Sequence, residues 1–188
     1  VYFGIENMKV DLSTYDNSWY RPASALKRTC WYLVNALIFK SAVCPFYRPK
    51  RMLLRSFGAK LGKGVVIKQS VNIKYPWLLE IGDYAWIGEQ VWIDNLGRTM
   101  IGANACISQG ALLLSGNHDF TKPGFDLIVK EILIEDGVWI GARSVVTGGS
   151  VCRTHAVLAA GSVHSGEMEA YGIYRGNPAL KIKERVIQ

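Results

Sequence analysis

The sequence predicts an all-β chain wound as a parallel β-helix, and three observations carry that prediction. Aliphatic residues recur at every sixth position: Leu61, Ile67, Ile73, then Ile81, Ile87, Ile93, then Ile101, Ile107, Leu113, and after a break Ile134, Ile140, Val146, Cys152 and Leu158. Two places before most of these anchors stands a small or β-branched residue, such as Val71, Ala85, Val91, Ala105, Ala111, Val138, Ser144 or Ala156. Alternation along a strand sends positions i and i−2 to one side, so each pair shares an interior. A glycine or polar residue follows most anchors (Gly62, Gly82, Gly88, Asp94, Gly102, Gly141), where the chain is expected to turn. A βαβ architecture needs helices between its strands, and residues 61–113 leave no room for them.

The hexapeptide pattern resembles that of the left-handed β-helix acyltransferases, which implies a triangular coil of three hexapeptides and hence a left-handed parallel β-helix. Each of the first two groups of three carries two extra residues, so the local repeat is twenty and residue n is expected to stack on n+20. Along the chain, residues 1–60 form a basic, partly helical N-terminal cap. Residues 61–165 form the β-helix with a loop excursion at 119–133, and 166–188 form a C-terminal tail. One domain plus a cap fits 188 residues, and 49% hydrophobic content is enough to fill a core.

Cysteine usage adds little chemistry. Cys30, Cys44, Cys106 and Cys152 form no metal-ligand spacing, and Cys152 occupies an anchor, so free thiols in a reducing cytoplasm are expected. No signal peptide is visible at the N-terminus. The apolar run from Cys30 to Phe46 is interrupted by Asn35, Lys40 and Pro45 and is too short and polar to span a membrane.

Charge is concentrated near the start. Between Asn17 and Leu79 there are twelve Lys or Arg residues and no acid, against a net charge of +7 for the whole chain. Beside Trp31, Tyr32, Phe39 and Phe46, such a segment suits either a plain cap on the first coil or peripheral contact with an anionic membrane. The motifs of nucleic-acid readers are missing. Trp86, Trp92 and Trp139 each precede an anchor and are therefore expected on the outside, where three large aromatics call for cover by the cap or a neighbouring subunit.

Chemistry is expected where the repeat fails. The hexapeptide from Leu113 ends at His118, and the register is lost until Ile134, so an excursion leaves the corner that carries this histidine. Imidazole can remove a hydroxyl proton at neutral pH and return it to a leaving group. His155 falls in a repeat turn and His164 after the last expected coil, and both read as surface residues. By n+20 stacking, Arg98 is expected one rung from His118, and Asp94 and Asn95 one rung from Leu114 and Ser115. Asp119 could orient the imidazole.

The run Ser115-Gly116-Asn117-His118-Asp119-Phe120, the run from Ile134 to Ala142, and the ending Gly176-Asn177-Pro178-Ala179 resemble the maltose, galactoside and colanic acid O-acetyltransferases over about residues 61–185. The segment 91–126 and the basic, aromatic N-terminal extension look most like the colanic acid type. The resemblance implies acetyl-CoA as donor, a sugar hydroxyl of an exopolysaccharide precursor as acceptor, a homotrimer, His118 as catalytic base and no metal, with cytoplasmic placement. It also implies acceptor contact by Asn95, with Asp94 as the competing choice, and donor contact by Ala142, Ala160, Ser165 and Lys183. Gly166 and Leu180 stand where Lys and Arg are common, which leaves the phosphate-binding set open. Two other readings share the fold: a γ-type carbonic anhydrase, which needs three converging histidines, and a non-catalytic assembly or membrane-docking module.

Overall fold

The computed structural model describes residues 9–188; the expectation about a signal peptide concerns the segment that includes 1–8, which lies outside the described residues. The chain is a left-handed parallel β-helix with two helices at its N-terminal end. Its three faces carry the anchors as stacked columns: Leu61, Ile81, Ile101, Ile134, Cys152 and Met168 on the first, Ile67, Ile87, Ile107, Ile140, Leu158 and Tyr174 on the second, and Ile73, Ile93, Leu113, Val146 and His164 on the third. The twenty-residue register holds through the first coils, with Leu61 opposite Ile81 and Ile81 opposite Ile101. Nearly all of these anchors are buried, as are the small partners two places earlier, such as Ala85, Ala105 and Ala156.

The glycine after an anchor serves a different need from the one expected. Gly82 and Gly102 do not adopt positive φ; a Cβ there would meet the next rung, at 2.5 Å from Ala103 N and 2.6 Å from Asp136 N. Close stacking of turns excludes a side chain. The left-handed conformation falls further along the turn, where Tyr84, Asn104, Gly137 and His155 take it at φ of 57°, 55°, 67° and 59° in successive turns.

Helix α1 (Ala25–Val34), extended by a π turn (Asn35–Phe39), and α2 (Tyr47–Ser56) close the open end of the first coil. Ser24 caps α1 by accepting from Lys27 N–H. Trp31, Phe39 and Leu54 are buried over that opening, with Trp31 at 5.2 Å from both Phe39 and Phe57. A first rung has no strand beneath it, so its carbonyls need other donors. Lys50 Nζ donates to Lys68 O at 2.6 Å, Arg51 to Val65 O at 2.7 Å, Arg55 to Leu61 O at 3.0 Å, and Trp31 Nε1 to Ile73 O at 2.8 Å. Much of the basic N-terminal segment is thus spent on the backbone. Burial lowers the pKa of Lys50.

At the far end the helix continues past the expected limit at 165. Val151 and Cys152 pair in parallel with Glu167 and Met168, and Val157 and Leu158 with Ile173 and Tyr174. Only at Gly176-Asn177-Pro178-Ala179 does the chain reverse, and strand Ala179–Glu184 covers the last edge in antiparallel pairing. His164 is therefore an anchor of the third face, 3% exposed, and not a surface residue. Its Nε2 lies 3.1 Å from Gly166 O, and burial lowers its pKa. His155 is half-buried in a turn, stacked on Tyr171 at 5.0 Å.

Candidate functional site

The excursion begins earlier than a count of hexapeptides suggests. Gly116–His118 is a strand paired antiparallel with Leu127–Val129, His118 opposite Leu127, and coil pairing resumes at Ile132. The hairpin stands out from the corner between the third and first faces. Because it consumes the corner, the n+20 rule fails there: Ile132 N–H donates to Arg98 O, and the Arg98 guanidinium pairs with Glu80 at 2.8 Å. Arg98 is not the stacking neighbour of His118.

The imidazole is held by the hairpin itself. Its Nδ1 lies 2.9 Å from the Phe125 carbonyl oxygen, and its ring stacks on the Phe125 ring at 4.4 Å and 10°. A carbonyl can only accept, so Nδ1 carries the hydrogen and Nε2 of the neutral ring keeps its lone pair. Phe125 reaches this position with φ of 52°, and Asp119 N–H donating to Asp126 O closes the hairpin end. Asp119 does not orient the imidazole. Its carboxylate accepts from Thr121 N at 3.1 Å and from the Thr121 hydroxyl, and those bonds hold its pKa below the usual carboxylate value.

Asp94 and Asn95 lie on the rung beneath Leu114 and Ser115, as the register predicts: Asp94 pairs with Leu114, and Ser115 donates to Asp94 O at 3.0 Å from its hydroxyl. Their side chains point to other work. Asn95 is fully buried, accepting from Tyr75 N at 3.0 Å and donating to Tyr75 O at 2.7 Å, so both of its polar ends prop the corner. Asp94 is 8% exposed, with Oδ1 2.9 Å from Lys74 Nζ.

The residues matched to the donor divide among three places. Ala142 and Ala160 occupy one corner, between the second and third faces, on consecutive rungs joined by Gly161 N–H donating to Ala142 O at 2.8 Å. Ser165 follows His164 toward the opposite corner, and Lys183 lies on the last strand opposite Ile173. Glu167–Met168 of the first face lies between Ser165 and the sheet that carries Lys183, and one chain does not bring these places together. Nor does it bring Ala142 to His118, since the third face separates their corners. Among the described residues no three His, Cys, Asp or Glu side chains form a metal-binding group.

A contact that the sequence analysis missed lies across His118. Tyr15, from the segment before α1, places its ring 5.7 Å from the imidazole at 55°. No periodicity links residues so far apart in the chain, so only the folded structure exposes the pair.

No family profile matches the chain. WcaF of Escherichia coli (strain K12), named for acetyl transfer in colanic acid biosynthesis, is 40% identical over 167 residues, which span 89% of this chain and 92% of that protein. The protein of the same name from Shigella flexneri matches equally. Among solved structures, a hexapeptide-repeat acetyltransferase of Vibrio cholerae O1 biovar eltor complexed with acetyl coenzyme A shares the fold with a TM-score of 0.79, at 21% identity over 89% of this chain and 93% of that one. A maltose O-acetyltransferase of Clostridium difficile 630 does so with a TM-score of 0.76, at 21% identity over 87% and 90% of the two chains.

Proposed function

The chain belongs to the hexapeptide-repeat acetyltransferases of the colanic acid type, and from that premise we propose that it moves an acetyl group from acetyl-CoA to a sugar hydroxyl of a polysaccharide precursor, with His118 as the base. The observation that carries this reading is the imidazole with Nδ1 committed to Phe125 O and Nε2 left to accept a proton. A thioester is already activated, whereas a sugar hydroxyl is a poor nucleophile until its proton leaves. Nε2 takes that proton as the oxygen bonds to the thioester carbon. The carbon–sulfur bond then breaks, and the imidazolium returns the proton to the departing sulfur, leaving an acetyl ester and a free thiol. Phe125 O holds the ring in one orientation through both transfers. Ala142 and Ala160 line the donor arm with small side chains and free backbone, and Ser165 and Lys183 approach its phosphates. Incubating the protein with acetyl-CoA and a panel of nucleotide-linked and lipid-linked sugars, followed by mass spectrometry, tests the reading. A sugar heavier by one acetyl group is expected, and none across the panel with intact acetyl-CoA counts against it.

Assembly completes the site in this reading. Base and donor corners are set on either side of the third face of one chain, so a neighbouring subunit brings a donor corner to each His118. Trp86, Trp92 and Trp139 support this: they project from the second and third faces and are 52%, 46% and 48% exposed in the single chain. Size exclusion with light scattering is expected to give a homotrimer, and a stable, fully active monomer would contradict that assignment.

The N-terminal layer supports a peripheral contact with an anionic membrane. No helix among the described residues is long and apolar enough to cross one. Lys50, Arg51 and Arg55 face the coil, Lys60 pairs with Glu80, Lys27 sits over Trp77 and Arg21 donates to Ser18 O, which leaves Arg28, Lys40 and Arg48 exposed and unpaired among the described residues. Beside them, Leu26, Leu33, Leu37, Val43 and Phe46 are all more than half exposed. Each cation contributes on the order of 1 kcal/mol at an anionic surface, so binding is weak, reversible and salt-sensitive. Co-sedimentation with anionic vesicles at low salt, lost at high salt and with neutral vesicles, is expected. Equal partitioning onto both vesicle types would reduce the segment to a cap.

A further inference from the structure

We propose that the N-terminal arm, residues 11–20, forms a wall of the acceptor pocket and that Tyr15 is the aromatic platform on which the acceptor sugar ring rests. The proposal builds on the reading of His118 as the base and adds a residue and an element to it.

The arm is fastened at both ends to the two structures that frame His118. At one end Asp11 N–H donates to Pro123 O at 3.0 Å, in the tip of the excursion. A Cβ on Gly124 would meet Thr14 Oγ1 at 3.4 Å, so the arm runs directly against the tip. At the other end the Tyr20 hydroxyl donates to Leu96 O at 2.6 Å, at the corner just after Asp94 and Asn95, and burial raises the pKa of that phenol. Local bonds shape the stretch between: the Asp11 carboxylate accepts from Ser13 N at 3.0 Å, and Asp16 accepts from Ser18 N at 2.7 Å. Tyr15 lies midway, half-buried, with its ring 5.7 Å from the imidazole.

Holding His118 in place does not explain Tyr15. Phe125 already fixes the imidazole, through its carbonyl and its stacked ring. Nor does the ring belong to the core, which comprises the prism anchors and the cap. Its hydroxyl has no hydrogen-bond partner among the described residues. What remains is an apolar face with a polar tip beside a free Nε2. Such a surface suits a pyranose, whose C–H face packs on an aromatic ring while its hydroxyls seek donors and acceptors at the rim. A sugar lying on Tyr15 has its hydroxyls within hydrogen-bond reach of the imidazole.

The test uses the full chain with two simple probes, methyl α-D-glucopyranoside and methyl β-D-galactopyranoside, and two readouts. Saturation-transfer NMR reports sugar binding without chemistry, and thiol release from acetyl-CoA reports turnover. In a His118→Ala background the glycoside signal is expected to persist, to be lost with Tyr15→Ala, and to be kept with Tyr15→Phe. For turnover, Tyr15→Ala is expected to raise the acceptor KM about tenfold or more, with the acetyl-CoA KM and the shape of the pH profile unchanged. Tyr20→Phe removes only the bond to Leu96 and is expected to raise the acceptor KM a few-fold, which keeps the proposal testable if Tyr15→Ala fails to fold. Undiminished glycoside signal in Tyr15→Ala overturns the proposal while leaving His118 untouched. So does a fall in kcat with an altered pH profile and an unchanged acceptor KM, because Tyr15 would then serve the imidazole. Absence of signal from both glycosides with the unmodified protein also overturns it. Retained turnover in His118→Ala instead removes the base assignment, and the loss of signal in Tyr15→Ala would still stand.

Discussion

Replacing His118 with Ala is expected to lower kcat for acetyl transfer by about 10²- to 10⁴-fold, the usual cost of losing a general base. The donor KM should be unchanged, because the donor contacts matched to Ala142, Ala160, Ser165 and Lys183 are all kept in the variant. The variant should also fold and assemble normally. His118 is half-exposed on a hairpin outside the hydrophobic prism, and its one side-chain bond runs to a carbonyl within the same excursion. Removing it leaves no buried group unsatisfied in the core. The measurement is the rate of thiol release from acetyl-CoA at saturating acceptor, together with light scattering to confirm the assembly. Retention of most of the rate at unchanged acceptor KM would sink the assignment and shift attention to a role for the hairpin in binding alone.

The architecture was legible because it is written in a period. Six-residue spacing names the inward residue of every strand from Leu61 to Leu158, and the extra pair per coil predicts which residues stack. Those predictions held wherever the coil is regular, as between Leu61 and Ile81 or Asp94 and Leu114. They failed where a coil changes length. The hairpin at 116–129 inserts residues between Arg98 and its partner rung, so a rule of constant spacing placed Arg98 beside His118 when Ile132 takes that place. The last coil hides for another reason: the sixth residue after Leu158 is His164, a polar side chain that does not announce an interior position although it occupies one.

The site was legible in its base and obscure in its surroundings. A histidine at the point where a strict repeat stops is visible in the chain. That Asn95 spends both ends of its amide on Tyr75 is not, because the sequence gives no sign that Tyr75 offers a free N–H and a free carbonyl on the rung below. Similarly, the charge of the N-terminal segment was plain, but its direction was not. Lys50, Arg51 and Arg55 turn inward because an open rung of carbonyls needs donors, a demand created only by the folded end of the helix.

That open end makes the cap a point of large stability effects. Trp31→Ala is expected to destabilise the fold by about 3–5 kcal/mol, in the range for emptying a buried aromatic site. Trp31 is 2% exposed, its ring bridges Phe39 and Phe57, and its Nε1–H satisfies Ile73 O in the first coil. The substitution therefore opens a cavity over the prism and orphans a buried carbonyl at an uncovered sheet edge. Trp31→Phe keeps most of the ring and loses the bond, so its cost should be smaller, about 1–3 kcal/mol. Urea denaturation at fixed protein concentration measures both, with the concentration held constant because assembly contributes to stability. If Trp31→Ala shifts the midpoint by an amount worth less than about 1 kcal/mol, the N-terminal layer does not close the coil. The inward course of its basic residues would then need another cause. If the full loss appears while the folded fraction keeps its kcat, sealing the helix and acetyl transfer are separable tasks, carried by opposite ends of the segment that precedes the first rung and by the hairpin three coils above it.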